Sequence, residues 1–141
     1  MNMSFPRIHG VVETCIYSGD LERSIRFYRD RLGLRLLESL DRLCAFAAGD
    51  HHVLLVFLFG GSTEPVQMPG GLIPPHDGSG QSHFAFAISK DDFAAWKRQL
   101  IAQDIGIESE VDWPGGGKSL YFRDPDENLV ELATPGIWEV Y

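Results

Sequence analysis

One order of elements is legible twice in this chain, and that repetition limits the possible folds more than any other feature. Each half reads as a strand, a helix and then three strands. In the first half, Val11–Tyr17 (VVETCIY) sets Val12, Thr14 and Ile16 on one face and Glu13, Cys15 and Tyr17 on the other. Asp20 is a good helix N-cap, and Glu22 is favourably placed in the first turn. Leu21, Ile25, Tyr28 and Leu32 fall at helical spacing, and Gly33 ends the helix. The arginines between them (Arg23, Arg26, Arg29 and Arg31) read as a solvated outer face. Arg35–Leu40 and Leu43–Ala48 form a hairpin joined at Asp41-Arg42. Val53–Phe59 is a buried strand beyond the Gly49–His52 turn, where His51 and His52 read as exposed turn residues.

The second half repeats this order. Ser82–Ile88 (SHFAFAI) alternates cleanly, with Phe84, Phe86 and Ile88 facing the core and His83, Ala85 and Ala87 facing away. Two alanines beside a histidine leave that outer face low and open, as a cavity wall needs. Ser89 and Asp91-Asp92 start a helix that turns Phe93, Trp96 and Leu100 inward, and Gly106 follows its end. Ile107–Val111 is a strand and Trp113–Gly117 a loop. In Ser119–Leu132 (SLYFRDPDENLVEL), Leu120 and Phe122 alternate with Ser119, Tyr121 and Arg123. Asp124–Asn128 supplies turn chemistry, and Leu129, Glu131 and Ala133 then share a face. The expectation is an α+β fold of two βαβββ modules, about 8–59 and 82–135, in a single domain over 1–141. Neither module is large enough to close a core alone. The connection, about 60–81, is dense in Gly, Pro, Ser and Asp and reads as a linker or a long functional loop. His76 lies in it, after Pro74-Pro75.

Composition narrows the class. A formal charge of −8, from 12 Lys and Arg against 20 Asp and Glu, argues against nucleic acid or an anionic membrane surface as partner. The longest apolar run, Val53–Phe59, is too short to span a bilayer, and MNMSFPRIHG carries no apolar signal region. Cys15 and Cys44 make no disulfide framework in a chain of 141 residues, so a reduced, cytoplasmic protein is the expectation.

The residues with chemical potential are few. Glu131 is a carboxylate set into an apolar strand, which is costly unless it is paired, hydrogen-bonded or bound to a metal. Glu13 is a second such carboxylate, and it occupies in the first module the place His83 has in the second. Gly115-Gly116-Gly117-Lys118-Ser119 imitates the end of a phosphate-binding loop. However, Asp112 stands where its first glycine belongs, and the segment leads into a strand rather than a helix. It reads as a flexible loop at a site mouth.

The motifs DLERSIRFYRDRLGL (Asp20–Leu34), SHFAFAI (Ser82–Ile88) and YFRDPDENLVEL (Tyr121–Leu132) together resemble the vicinal-oxygen-chelate superfamily. That superfamily includes glyoxalase I, extradiol ring-cleaving dioxygenases, and fosfomycin and bleomycin resistance proteins. The resemblance runs from about Ile8 to Pro135. It implies two half-barrels around a divalent metal, with ligand positions that map here onto Glu13, Leu55, His83 and Glu131. Leu55 cannot bind a metal, so the implied ligands are Glu13, His83 and Glu131. One imidazole and two carboxylates suit Zn²⁺, Mn²⁺, Fe²⁺ or Ni²⁺. The resemblance also implies a homodimer acting on a small molecule, with Glu131 and Glu13 as candidate proton-transfer groups. Tyr121, Lys118 and His76 are candidate substrate contacts. One histidine with two glutamates departs from the two-histidine pattern of extradiol dioxygenases, which favours glyoxalase-like isomerase or lyase chemistry and leaves an extradiol-type dioxygenase as an alternative. A metal-free, bleomycin-resistance-type binding protein is the alternative from another class, and metal analysis separates the two.

Overall fold

The computed structural model describes residues 4–141. Its strands form two four-stranded sheets and one small two-stranded ribbon. The first sheet has the order β1-β4-β3-β2 and comprises β1 (Glu13–Ser18), β2 (Leu36–Ser39), β3 (Leu43–Ala47) and β4 (Val53–Leu58). The second has the order β7-β10-β9-β8 and comprises β7 (His83–Ala87), β8 (Ser109–Asp112), β9 (Lys118–Arg123) and β10 (Leu129–Ala133). In each sheet the first strand lies parallel to the last and forms an edge, as a crossover through a helix requires.

The registers place the repeated positions. Glu13 pairs with Val53 and Cys15 with Leu55, while His83 pairs with Leu129 and Ala85 with Glu131. Glu13 and Leu55 therefore hold in the first sheet the stations that His83 and Glu131 hold in the second. One face of each sheet carries these residues. The opposite faces contribute Ile16, Leu54 and Val56 from one sheet and Phe84, Leu120, Phe122, Val130 and Leu132 from the other to one shared apolar core.

The first helix is only partly α-helical. After α1 (Leu21–Ile25), capped by the Asp20 side chain on Arg23 N, residues Arg26–Arg31 form a π-helical turn. Its signature is Leu32 N–H donating to Phe27 O, five residues back, at 3.1 Å. The wider turn buries the adjacent pair Phe27 and Tyr28 together. Phe27 meets Phe122 of the second sheet, and the Tyr28 hydroxyl donates to Asp124 at 2.7 Å. Gly33 then adopts φ +80°, the left-handed conformation that favours glycine at a helix end. The second helix, α2, spans Phe93–Ala102 and buries Phe93 and Leu100.

Three sequence expectations need correction. The arginines do not all form a solvated face. Arg23 pairs with Asp126 at 2.8 Å, and Arg31 donates to the backbone oxygen of Gln103 while covering the Phe27 ring, so both join the two halves. The connection after β4 is not featureless, because Val66–Met68 (β5) and Gly71–Ile73 (β6) form an antiparallel ribbon. The Asp124–Asn128 turn is more than a tight connection. Asp124 is 4% exposed and accepts hydrogen bonds from Tyr28, Asp126 N, Asn128 N and Asn128 Nδ2. Asp126 binds Ser18 Oγ, Gly19 N and Arg23 at 2.7–3.0 Å. Asn128 Oδ1 receives Ser82 N, at the entry to β7. Gly80 passes so close that an added Cβ would lie 2.7 Å from the Asp126 oxygen. One turn thus fastens β1, the first helix and the start of β7.

Candidate metal centre

Glu131 is 8% exposed, and its two oxygens have separate partners. Oε2 accepts a 2.6 Å hydrogen bond from Ser119 Oγ, and Oε1 lies 3.2 Å from His83 Nε2. The alternation of β9 and β10 makes this possible. Ser119 and Tyr121 pair with Ala133 and Glu131 across the ladder, so all four side chains share one face. Ala85 and Ala87 continue that face beside His83 with little bulk.

The imidazole is oriented by its other nitrogen. His83 Nδ1 lies 2.9 Å from the Leu129 carbonyl oxygen, which can only accept, so Nδ1 carries a proton. Nε2 then turns a lone pair toward Glu131 Oε1 unless a second proton sits there. A lone pair and a carboxylate oxygen 3.2 Å apart repel each other. The arrangement therefore calls for a cation between them: a proton, giving an imidazolium–carboxylate pair, or a metal ion. A ring nitrogen fixed by a backbone carbonyl is the usual support of a metal-ligating histidine. The donor set and its orientation fit a divalent metal.

The other expected residues are distributed unevenly. Tyr121 belongs to this face. Burial, and then the negative charge of Glu131, raise its phenol above its ordinary range, which keeps it protonated. Lys118 does not belong there. It alternates with Ser119 and so shares the Leu120 and Phe122 side of β9, where it binds Asp112 at 2.7 Å above the Phe93 ring. His76 sits with the first sheet, 2.7 Å from the Tyr17 hydroxyl and edge-on to Phe57. Glu13 is exposed on β1. Among the described residues, no three His, Cys, Asp or Glu side chains of one chain come close enough to hold a metal together. The chain thus brings His83 and Glu131 together and leaves Glu13 apart. His51 and His52 are exposed turn residues, as expected. They border a cleft of about 520 Å³ between the halves, floored by Leu34, Phe86 and Leu132.

Two residues of the centre were missed in the sequence. In the sequence Ser119 reads as a strand position at the end of the imitation phosphate loop, and Trp113 reads only as part of a loop. The Trp113 indole N–H donates to Ser119 Oγ at 2.8 Å and so stands one step behind Glu131. The available signal was alternation: Ser119 shares the parity of Tyr121, which brings it onto the Glu131 face.

The family described as Glyoxalase/Bleomycin resistance protein/Dioxygenase superfamily matches residues 8–132. The chain is 30% identical over 128 residues to the metallothiol transferase FosB of Staphylococcus epidermidis, covering 90% of this chain and 82% of that protein. It is 33% identical over 140 residues to biphenyl-2,3-diol 1,2-dioxygenase 3 of Rhodococcus globerulus, covering 92% of this chain and 66% of the dioxygenase. Among solved structures, the lactoylglutathione lyase of Agrobacterium tumefaciens superposes with a TM-score of 0.85 at 32% identity, covering 95% of this chain and 99% of that one. No helix among the described residues is long and apolar enough to cross a membrane.

Proposed function

Because the chain belongs to the glyoxalase/bleomycin resistance protein/dioxygenase superfamily, we propose that it is a divalent-metal-dependent enzyme acting on a small molecule with vicinal oxygens. The relatives carry out different reactions, and the donor set favours glyoxalase-like isomerase or lyase chemistry among them. His83 and Glu131 of one copy, with Glu13 of a second copy, hold one metal ion. The observation that carries this reading is the His83 Nε2 to Glu131 Oε1 approach at 3.2 Å, with Nδ1 tied to a backbone carbonyl.

The metal, when bound, supplies Lewis-acid stabilisation of negative charge on a substrate oxygen. The protein supplies the rest. Glu131 takes a proton from the carbon beside a bound carbonyl and returns it to the neighbouring atom. Tyr121, held protonated, offers a hydrogen bond at the same wall. Ala85 and Ala87 leave room for the substrate body, and burial of Glu131 keeps water from its second oxygen.

Two features support assembly as a homodimer in which Glu13 comes from the second copy. Glu13 is on an exposed edge strand, and β7, which carries His83, is the edge of the other sheet. Edge strands tend to be covered or paired. The extended segment leading into β1 also leaves Phe5, Ile8, Val11 and Val12 between 62% and 88% exposed, an apolar run suited to burial against another chain.

Metal analysis of protein purified without added metal or chelator tests the reading. About one divalent ion per chain is expected, since three protein ligands plus solvent form a typical catalytic site. His83→Ala should lose that ion and keep its fold, because His83 lies on the exposed face of β7. Equal metal in the two proteins would remove His83 from the ligand set.

A further inference from the structure

We propose that Trp113 is a positioning residue for the metal centre: through Ser119, it fixes which oxygen of Glu131 is left free to coordinate. This rests on the metal reading above, and it assigns a role to a loop that the sequence suggested only as a site mouth.

The direction of the hydrogen bonds carries the inference. Ser119 has one hydroxyl hydrogen, and at 2.6 Å it is given to Glu131 Oε2, which can only accept when ionised. A Ser119 lone pair then receives the Trp113 Nε1–H, which can only donate, at 2.8 Å. With Glu131 ionised, the two bonds run one way, from indole to hydroxyl to carboxylate. Its end result is a carboxylate with Oε2 engaged and Oε1 turned toward His83 Nε2. Without the indole N–H, the hydroxyl loses the partner that fixes its rotation, and the carboxylate loses its single orientation.

Trp113 is itself held by backbone, independently of any metal. Its N–H donates to Gly117 O at 2.8 Å, and its carbonyl accepts Gly116 N at 3.0 Å. This turn lies against the C-terminal segment. A Cβ on Gly117 would stand 2.6 Å from Ile137 Cγ1 and 2.8 Å from the Gly136 carbonyl carbon, so that contact needs glycine. The segment is tied back to β10 by the Tyr141 hydroxyl, which donates to Ala133 O at 2.8 Å. The glycines of the imitation phosphate loop thus serve close packing that seats the indole.

The test is calorimetric titration of Mn²⁺ and Zn²⁺ into metal-free wild type, Trp113→Phe, Ser119→Ala, Ser119→Thr and the Trp113→Phe/Ser119→Ala pair, with melting temperatures for each. Trp113→Phe and Ser119→Ala should each weaken metal binding about 10–100-fold, the usual effect of losing an outer hydrogen-bond partner. Ser119→Thr keeps the hydroxyl and should stay within about threefold of the wild type. Because the relay acts in series, the double variant should bind no more weakly than Ser119→Ala alone. A folded Trp113→Phe protein that binds within about threefold of the wild type would overturn the proposal, as would additive losses in the pair. Should Trp113→Phe fail to fold, the two Ser119 variants decide: equal weakening in both would show that the hydroxyl is not what matters. Wild-type protein that takes up neither metal would bring down the metal reading and this proposal together. Equal uptake by wild type and Trp113→Phe would bring down this one alone.

Discussion

Replacing Glu131 by glutamine is expected to lower turnover by roughly 10²–10⁴-fold, the loss that follows removal of a general base, while leaving the chain folded. The local hydrogen bonds explain why the change is so selective. Ser119 Oγ now donates to Glu131 Oε2 at 2.6 Å and receives Trp113 Nε1 at 2.8 Å. A hydroxyl oxygen can accept twice, so it can take the glutamine amide N–H as well as the indole N–H. The amide oxygen is then left facing His83. Shape and one coordinating oxygen survive, and basicity does not. Metal affinity should weaken far less than turnover. Assays begin with α-ketoaldehyde–thiol adducts, catechols and thiol transfer across several divalent metals. Proton exchange beside a bound carbonyl gives a more general readout. Glutamine and wild-type proteins equal in metal content and in every activity found would take the proton-transfer role from Glu131 and favour sequestration of a ligand over catalysis.

The largest effect on stability is expected at Asp124, which ties its own turn to Tyr28 of the first helix, 96 positions away. Asp124→Ala removes the acceptor for Tyr28 Oη and Asn128 Nδ2, both in residues that are 0% exposed, and for two backbone amides of its own turn. Each buried donor left without a partner costs about 1–3 kcal/mol. Three of the four bonds are buried, so the loss is at least about 3 kcal/mol, the scale of a broken buried network. The melting temperature should fall by about 10 °C or more. Tyr28→Phe is the milder control, because it deletes one donor while Asp124 keeps three others. It should cost about 1–2 kcal/mol. Urea unfolding of the three proteins measures this order. A loss below about 1 kcal/mol for Asp124→Ala would show that the turn is not the fastening between the halves.

These expectations also show where the sequence was legible. Alternation in SHFAFAI and SLYFRDPDENLVEL sorted His83, Tyr121 and Glu131 onto one face and Phe84, Leu120 and Phe122 onto the other, because side-chain direction in a strand follows parity alone. The Glu13–His83 equivalence survived for the same reason. What was misread depends on partners distant in the chain. Tyr28 fitted an ordinary apolar helix stripe, yet its hydroxyl meets Asp124, 96 positions away. Arg23 had the composition of a solvated face until folding brought Asp126 beside it. Lys118 is different, because its parity with Leu120 and Phe122 already turns it from the Glu131 face, toward Asp112. Periodicity gives direction, and only the packed chain gives the partner.

Under the proposed function, Glu13 of one chain completes the site that His83 and Glu131 begin in another. Complementation tests it directly. Chains carrying Glu13→Ala and chains carrying His83→Ala are purified separately, unfolded, mixed in equal amounts and refolded in the presence of Mn²⁺. Each variant alone should hold little metal and show little turnover. In a statistical mixture about half of the dimers contain one of each chain. In each of these, one of the two sites draws an intact Glu13 from one chain and an intact His83 from the other. The mixture should therefore recover about one quarter of the wild-type metal content, with activity in proportion. Recovery no greater than the average of the two variants alone would contradict a site shared between chains.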